Sequence, residues 1–509
     1  MKINQLKAGV ILSYGTQGVH ILTGLLYTPI MLRLLGQSEY GLYQLVYSVV
    51  SYLSLLSLGF GASYVRFYSR FKTKDDSVGI ARLNGMFLTI FSIIAIVCLV
   101  CGFAMIINAR GIFGTGLTEA ELAKAKVLLT IMVLNMVATF INSVFSSIIT
   151  AHERFFFQKL VRFLKELFNP FLTLPLLLMG YGSVAMVSIT TILTFTVLIA
   201  DLFFCFKKLK VRFNFHNFPF SLFKEMWAFT FFIFINMIVD RINWSIGNFL
   251  LGRMIGTSAV AVFGVATQLN SLYLTLSTAV SGVFIPRVNF VVAKGSDNKV
   301  LSNLFTKVGR IQFLILGLII SGYIIFGREF IFLWAGSGYN DAYIIGLLLM
   351  VPVTVPLIQN LGIEIQRAKN MHKARSLVYF LVALGNIAIS IPCIRRWGAS
   401  GAALGTAVSL IAGNIFFMNW YYHNRMGIDI LFFWKQIFRI FVPVALTALA
   451  GSLLVKLFPA NGRLVLLEAQ IVIFSAVYVV VIWFFGMNKL EKSLVSKPFE
   501  KVKNKLCKK

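Results

Sequence analysis

Charge is the first scarcity. Only 13% of the 509 residues are charged, and Asp plus Glu number just 18. That is about half the charged share of an ordinary soluble domain. With 58% apolar or aromatic residues, the chain is neither a soluble multidomain enzyme nor a disordered segment. Cysteine is sparse as well, at Cys98, Cys101, Cys205, Cys393 and Cys507. Cys98 and Cys101 form a C-x-x-C, but inside an apolar stretch with no neighbouring His or second Cys pair, so they are expected to be packing residues. No G-x-x-x-x-G-K-[ST] loop occurs, which removes an ATPase. No zinc-finger, RNP or homeodomain pattern occurs, so the basic excess does not point to nucleic acid. Lys2 and Lys7 precede an apolar span without a small-residue cleavage site, so this span is expected to stay as an anchor.

Long apolar runs are what the chain has in plenty. Fourteen segments have the length of a membrane helix: 9–32, 41–64, 84–108, 127–150, 160–179, 184–206, 226–250, 259–284, 309–332, 342–364, 376–394, 400–421, 438–457 and 464–486. The predicted fold class is therefore all-α, a polytopic membrane protein with about 14 transmembrane helices. Lys plus Arg total 47, a net charge of +29. If the N-terminus, the even-numbered loops and the tail face the cytoplasm, they and the span ends adjoining them hold 36 of these residues against 10 on the other side, with Arg241 left deep inside a span. The positive-inside rule then puts both termini in the cytoplasm. The outer loops are short, the longest being about Ala109 to Lys126, which leaves no room for an extracytoplasmic domain. The Lys-rich tail, 487–509, either lies on the inner leaflet or is solvated, Pro498 weakening a helix there.

The first six spans resemble the next six at an offset of 220. Leu35-Gly36-Gln37-Ser38 matches Ile255-Gly256-Thr257-Ser258, Tyr43 matches Phe263, Ser51 matches Ser271, and His152 matches His372. Six is even, so the halves share one orientation, as parallel repeats do, with a substrate path between them. The predicted organisation is an N-lobe (1–206), a cytoplasmic linker (207–225), a C-lobe (226–421), two extra spans (438–486) and the basic tail (487–509).

Polar residues inside spans usually face a cavity or a partner. On span 7, Asn236, Asp240, Asn243 and Gly247 share a helical face, with Arg241, Trp244 and Asn248 one position on. Cavity lining is favoured over a structural Asp240–Arg241 lock, because adjacent residues diverge by ~100° on a helix. On span 1, Ser13, Gln17, His20, Gly24 and Thr28 form a similar face, and the offset sets His20 opposite Asp240. Span 8 offers Thr267, Ser271, Thr275, Thr278 and Gly282, with Gln268 beside them; tight packing and cavity lining both fit. Span 10 holds Pro352 and Pro356 ahead of Gln359, Asn360, Glu364 and Arg367, so a kink is expected. The candidate substrate residues are Arg241, Asp240, Asn243, Gln17, Gln268, Glu364, Arg33, Arg66, Arg287 and Arg367. His20 and Asp240 are the coupling-ion candidates, and no catalytic or metal residue is expected.

LRLLGQSEYGLYQLV (32–46), LGFGASYVRFYSRF (58–71), AHERFFFQKL (151–160), DRINWSIGNFLLGRMIGTSAVAVFGV (240–265) and IEIQRAKNMHKARS (363–376) together resemble the polysaccharide-transporter family of the multidrug/oligosaccharidyl-lipid/polysaccharide exporter superfamily. The resemblance implies two six-helix lobes around a cavity that opens alternately to each side. It implies a flippase, not an enzyme, that moves undecaprenyl-diphosphate-linked oligosaccharide repeat units from the cytoplasmic to the outer leaflet. The products would be O-antigen, lipopolysaccharide, capsule or exopolysaccharide, made at a bacterial cytoplasmic (inner) membrane. Lipid II flippases of the superfamily carry an Arg-Asp pair in the first helix, where this chain has Tyr27-Thr28. No cofactor is implied beyond an H+ or Na+ gradient. The expected partners are the lipid-linked oligosaccharide, membrane lipids, and a polysaccharide polymerase with its chain-length machinery. A cation-coupled multidrug antiporter is the near alternative, and a membrane-embedded polymerase or ligase the distant one.

Overall fold

A computed structural model of the chain describes residues 4–496 other than 115, 217, 219, 296, 370, 461 and 495. Cys507 and most of the predicted tail lie outside the described residues. Helices dominate, and no strand occurs among the described residues. The long helices are α1 (Gln5–Leu35), α2 (Gln37–Ser51), α3 (Ser77–Ile107), α4 (Glu119–Ala151), α5 (Phe155–Leu178), α6 (Gly182–Phe203), α7 (Phe220–Met254), α8 (Thr257–Gly282), α9 (Asn298–Ala335), α10 (Ala342–Ile358), α11 (His372–Leu410), α12 (Ile430–Leu457) and α13 (Leu464–Val481). A non-helical Gly398 (φ 57°) divides α11 in two, and predicted spans 11 and 12 start on its two parts. Nine helical stretches among the described residues are long and apolar enough to cross a membrane, or ten if one bent pair counts as a span. The all-α polytopic class expected from the sequence stands. α5 falls outside that set; it carries Lys159, Arg162, Lys165 and Glu166.

Span 2 departs from the predicted unbroken run. α2 ends at Ser51, a 3₁₀ turn covers Tyr52–Ser57, and a new helix begins at Phe60. Two causes are visible. The hydroxyls of Ser48, Ser51 and Ser54 each donate to the carbonyl three residues back at 2.6–2.7 Å, which tightens the turns. Leu58 (φ 49°) and Gly59 (φ 74°) then take left-handed conformations that end the helix. The bend expected from Pro352 and Pro356 is present, at 45°, but it falls after α10, between Ile358 and Leu361. Gln359 donates to Asn419 Oδ1 at 2.8 Å and Asn360 to Ser281 Oγ at 3.1 Å, so freed polar groups at the bend are satisfied by neighbouring helices.

The chain divides into two compact units, residues 1–264 with 379–405, and residues 265–378 with 406–509. In the first, α1 packs on α5, α3 on α4, and α6 on α4 and α5. The matching motifs at positions 36 and 256 perform the same task. Gly36 (φ 76°) separates α1 from α2, and Gly256 (φ 125°) separates α7 from α8. These motifs also meet: Ser38 Oγ lies 3.3 Å from Thr257 Oγ1, and both hydroxyls donate to Glu121 Oε1 at 2.7 and 2.8 Å. Glu121 also closes the N-terminal capping box of α4 with Thr118.

Glycine makes this seam possible. A Cβ on Gly41 would stand 1.9 Å from the backbone oxygen of Thr257 and 3.2 Å from Ala261 N, atoms that cannot rotate away. Gly41→Ala is therefore expected to force α2 from α8 and to destabilise by about 1–3 kcal/mol, as overpacking does. Gly18→Ala, on α1 with nothing within 4 Å of its Cβ, is the control. Thermal unfolding of both variants in detergent measures the effect; equal melting temperatures for the two would refute it.

Beside the seam, Glu39 Oε1 accepts from Lys124 Nζ at 2.6 Å and Ser183 N at 2.5 Å. Burial pushes the Glu39 carboxyl up, but the bonds from Lys124 and Ser183 outweigh it and hold the group below its ordinary range. The unfolded chain then binds the additional proton, so this stabilisation is present near neutrality and is lost as pH falls through the carboxylate range. Melting temperature should fall with acidification, and Glu39→Gln should flatten part of that slope.

In the second unit a buried ion pair joins distant parts of the chain. Arg310 on α9 donates through Nε to Glu491 Oε1 at 2.6 Å and through Nη2 to Glu491 Oε2 at 2.9 Å. Further donations reach Gly486 O at 3.0 Å and Gln436 O at 3.0 Å. The side chains are 6% and 3% exposed, so the guanidinium is almost fully desolvated and almost fully satisfied. Glu491 also accepts from Asn488 N at 2.8 Å, which fixes the short helical segment that follows α13.

Candidate functional site

The polar face predicted on the first helix opens onto a cavity inside the first unit. Ser13, Thr16, Gln17 and His20 of α1 face Lys159, Arg162 and Glu166 of α5 across a volume of about 280 Å³. The spacings i, i+3, i+4, i+7 on one helix and i, i+3, i+7 on the other bring each set to a single stripe. At ~30 Å³ per water the space holds roughly nine waters. Two glycines let the helices come together beside it: a Cβ on Gly9 would stand 2.9 Å from Phe155 Cβ, and one on Gly15 would stand 3.5 Å from Phe163.

The lining is cationic and held from behind. Arg162 Nη2 donates to Ser146 Oγ at 2.9 Å, and Gln158 Nε2 donates to the same hydroxyl at 2.8 Å and to Thr150 Oγ1 at 2.7 Å. Lys165 Nζ donates to Thr194 Oγ1 at 2.9 Å, tying α5 to α6. Ser13 and Thr16 turn their hydroxyl protons back to Gly9 O and Leu12 O, leaving oxygen lone pairs toward the space. Lys159 and Arg162 against the single acid Glu166 give the pocket a positive balance. Such a site can receive an anion through charge-assisted hydrogen bonds while the amide of Gln17 and the imidazole of His20 bond to hydroxyls.

Of the candidate substrate and coupling residues, Gln17 and His20 line this cavity, together with Ser13 of the same predicted face. Arg241 is half-buried on α7, within electrostatic reach of Tyr52, and Asp240 beside it is exposed. Asn243 Oδ1 accepts from Asn386 Nδ2 at 3.5 Å, and Gly247 is a packing position, with Phe263 2.8 Å from a built Cβ. Arg33 and Arg66 are exposed, Arg66 lying over the Phe67 ring at 5.9 Å. Gln268, Arg287, Glu364 and Arg367 belong to the second unit. There Arg287 is exposed over Phe290 at 5.5 Å, and Arg367 pairs with Glu364 at 2.8 Å. On α8 the opposite face does the packing: Tyr273 hydrogen-bonds Thr354 at 2.8 Å and Ser277 Oγ accepts from Gln312 at 3.2 Å. Ser271 and Thr278 are exposed, and Thr267 and Thr275 are half-buried.

Lys159, Arg162 and Glu166 are lining residues outside the candidates that the sequence offers. Their signal is the i, i+3, i+7 spacing that begins in the Phe-rich motif at residue 155 and matches the polar stripe of α1. Two of the aromatic–basic motifs meet nearby: His152 Nε2 lies 3.0 Å from Tyr68 OH.

These features define a class before a family. The chain is a helical, multi-pass membrane protein with a fold shared by solved flippase and transporter structures. It is similar to a structure of the lipid II flippase MurJ in an inward closed conformation, with a TM-score of 0.72 at 16% identity, covering 94% of this chain and 98% of that one. It is also similar to an inward-facing multidrug resistance MATE family transporter of the MOP superfamily, with a TM-score of 0.67 at 14% identity, covering 82% of this chain and 96% of that one. Residues 6–289 match the family described as polysaccharide biosynthesis protein, and the chain belongs to that family. Among its relatives is the uncharacterized membrane protein EpsK of Bacillus subtilis (strain 168), 22% identical over 495 residues and 94% of each chain.

Proposed function

We propose that this protein is a flippase for undecaprenyl-diphosphate-linked oligosaccharide repeat units, moving them from the cytoplasmic to the outer leaflet of a bacterial cytoplasmic membrane, with both termini cytoplasmic. The observation that carries the reading is the cationic cavity between α1 and α5, where Lys159 and Arg162 stand beside Gln17 and His20. A sugar diphosphate does not cross hydrocarbon unaided, because burying its charge without partners costs far more than the polyprenyl chain returns. A cleft that pairs the diphosphate and hydroxyls removes that barrier while the tail remains in lipid. Arg241, Asp240, Asn243 and Gln268, with Arg33, Arg66, Arg287, Glu364 and Arg367, are candidates for the rest of the path. His20 and Asp240 are candidates for coupling to a cation gradient. The family's role in polysaccharide biosynthesis supports delivery to a polysaccharide polymerase and its chain-length machinery as part of this reading.

A positive lining disfavours cationic drugs. Tyr27-Thr28, with Thr28 5% exposed, offers no charged pair for lipid II recognition. The test is reconstitution in proteoliposomes loaded on one leaflet with undecaprenyl-diphosphate-linked oligosaccharide, lipid II or ethidium. Movement of the oligosaccharide lipid alone is expected. Transport of ethidium without any lipid-linked sugar would overturn the reading.

A further inference from the structure

Asp201 is a buried acid that the cavity chemistry above does not use. It sits near the end of α6 and is 3% exposed. Its Oδ1 has no hydrogen-bond partner among the described residues. Asn142 of α4 bonds to the carboxyl, and the charge of Arg162 on α5 acts on it. Arg162 makes its hydrogen bond to Ser146 Oγ and turns toward the cavity. The guanidinium thus acts electrostatically on a buried acid and also lines the anion site.

A buried carboxylate with an orphaned oxygen is costly unless a cation offsets it or a proton neutralises it. The groups around it are few. From α5 comes Arg162; Lys165 of the same helix is instead bonded to Thr194 on α6 and in the field of Glu166. From α4 comes the uncharged Asn142, and from its own end of the chain Cys205. His20 of α1 lies across the cavity with Arg162. Lys207 and Lys208, just beyond Cys205, are exposed. Arg162 is therefore the cation best placed to support the ionised form.

We propose that Asp201 is a proton-binding group linked to the anion site through Arg162, ionised while that site is empty and taking one proton from water when a diphosphate claims the guanidinium. The inference rests on the reading of Arg162 as a diphosphate ligand. Binding of the anion withdraws the positive field from Asp201, and protonation of Asp201 in turn frees Arg162 for the anion. Substrate binding and proton uptake then reinforce one another, as linkage requires.

The experiment uses the full chain in detergent and farnesyl-diphospho-N-acetylglucosamine, whose diphosphate diester has no group titrating near neutrality. All proteins carry His20→Gln, which removes the cavity imidazole. Affinity is measured by calorimetry from pH 5.5 to 8, in buffers of different ionisation enthalpy. The parent should bind up to about tenfold more tightly per unit fall in pH within the transition, with uptake of up to one proton. Asp201→Asn, in the same background, should bind at the tight level independently of pH and take up none. Unchanged pH dependence and proton uptake in Asp201→Asn, with Arg162→Ala still weakening binding, would overturn this inference and leave the site reading intact. Undiminished binding by Arg162→Ala would instead overturn the site reading. If Asp201→Asn does not fold, infrared difference spectra of the parent decide the matter: a protonated-carboxyl band should appear on adding the probe, and its absence would overturn the proposal.

Discussion

Arg310→Ala should cost about 3–5 kcal/mol of stability, the usual effect of stranding one member of a buried ion pair. Glu491 would keep its charge at 3% exposure with its bidentate partner gone. Gly486 O and the Gln436 carbonyl would lose donors at the same time. The exposed pair Arg367–Glu364 is the contrast: with Arg367 66% exposed, breaking it should change stability by less than about 1 kcal/mol. Substituting both buried partners, as Arg310→Met with Glu491→Leu, should recover most of the loss, because no charge is then left in an apolar site. Melting temperatures in detergent, with limited proteolysis near residue 488, read both effects. A stable Arg310→Ala protein would show that the segment after α13 does not depend on this contact.

Removing the two cavity cations should affect transport more than any other change outside the protein's packing. Each charge-assisted bond is worth about 1.5–3 kcal/mol, so Lys159→Ala with Arg162→Ala should reduce binding of the lipid-linked diphosphate by about 100-fold or more. Arg162→Lys should retain part of the activity, since charge persists while the planar fork is lost. Arg162 is exposed to the cavity and Lys159 half-buried, so the double variant should insert and melt close to the parent. Normal flipping by a stable double variant would remove this cavity from the transport path and leave the α7 cluster around Arg241 as the next candidate.

The cavity shows how far residue order alone reaches. Gln17 and His20 were legible because a polar stripe at helical spacing stands out in an apolar segment. Lys159, Arg162 and Lys165 were not, because they begin only a few residues into a helix. At that depth a basic residue in a cavity and a basic anchor at the membrane surface look alike. Asp201 lies inside the predicted span 184–206 near its end, where residue order does not show whether an acid is buried among helices. The break after α2 was hidden for another reason: serine back-bonding and a left-handed leucine–glycine corner do not alter hydropathy.

Sequence by itself determined the membrane character, the all-helical class, the position of nearly every long helix and the repeated Gly36 and Gly256 breaks. Those properties follow from composition, periodicity and local backbone preference, which act over a few turns. Only the tertiary structure decided which polar faces meet. α1 and α5 line a cationic space with residues at least 139 positions apart in the chain, and Arg310 finds Glu491 across 181 residues. Apolar patterning places helices in the bilayer but leaves their neighbours unspecified. Close approach at Gly9 and Gly41, and the need to satisfy each buried charge, select the partners, and both are properties of three-dimensional contact.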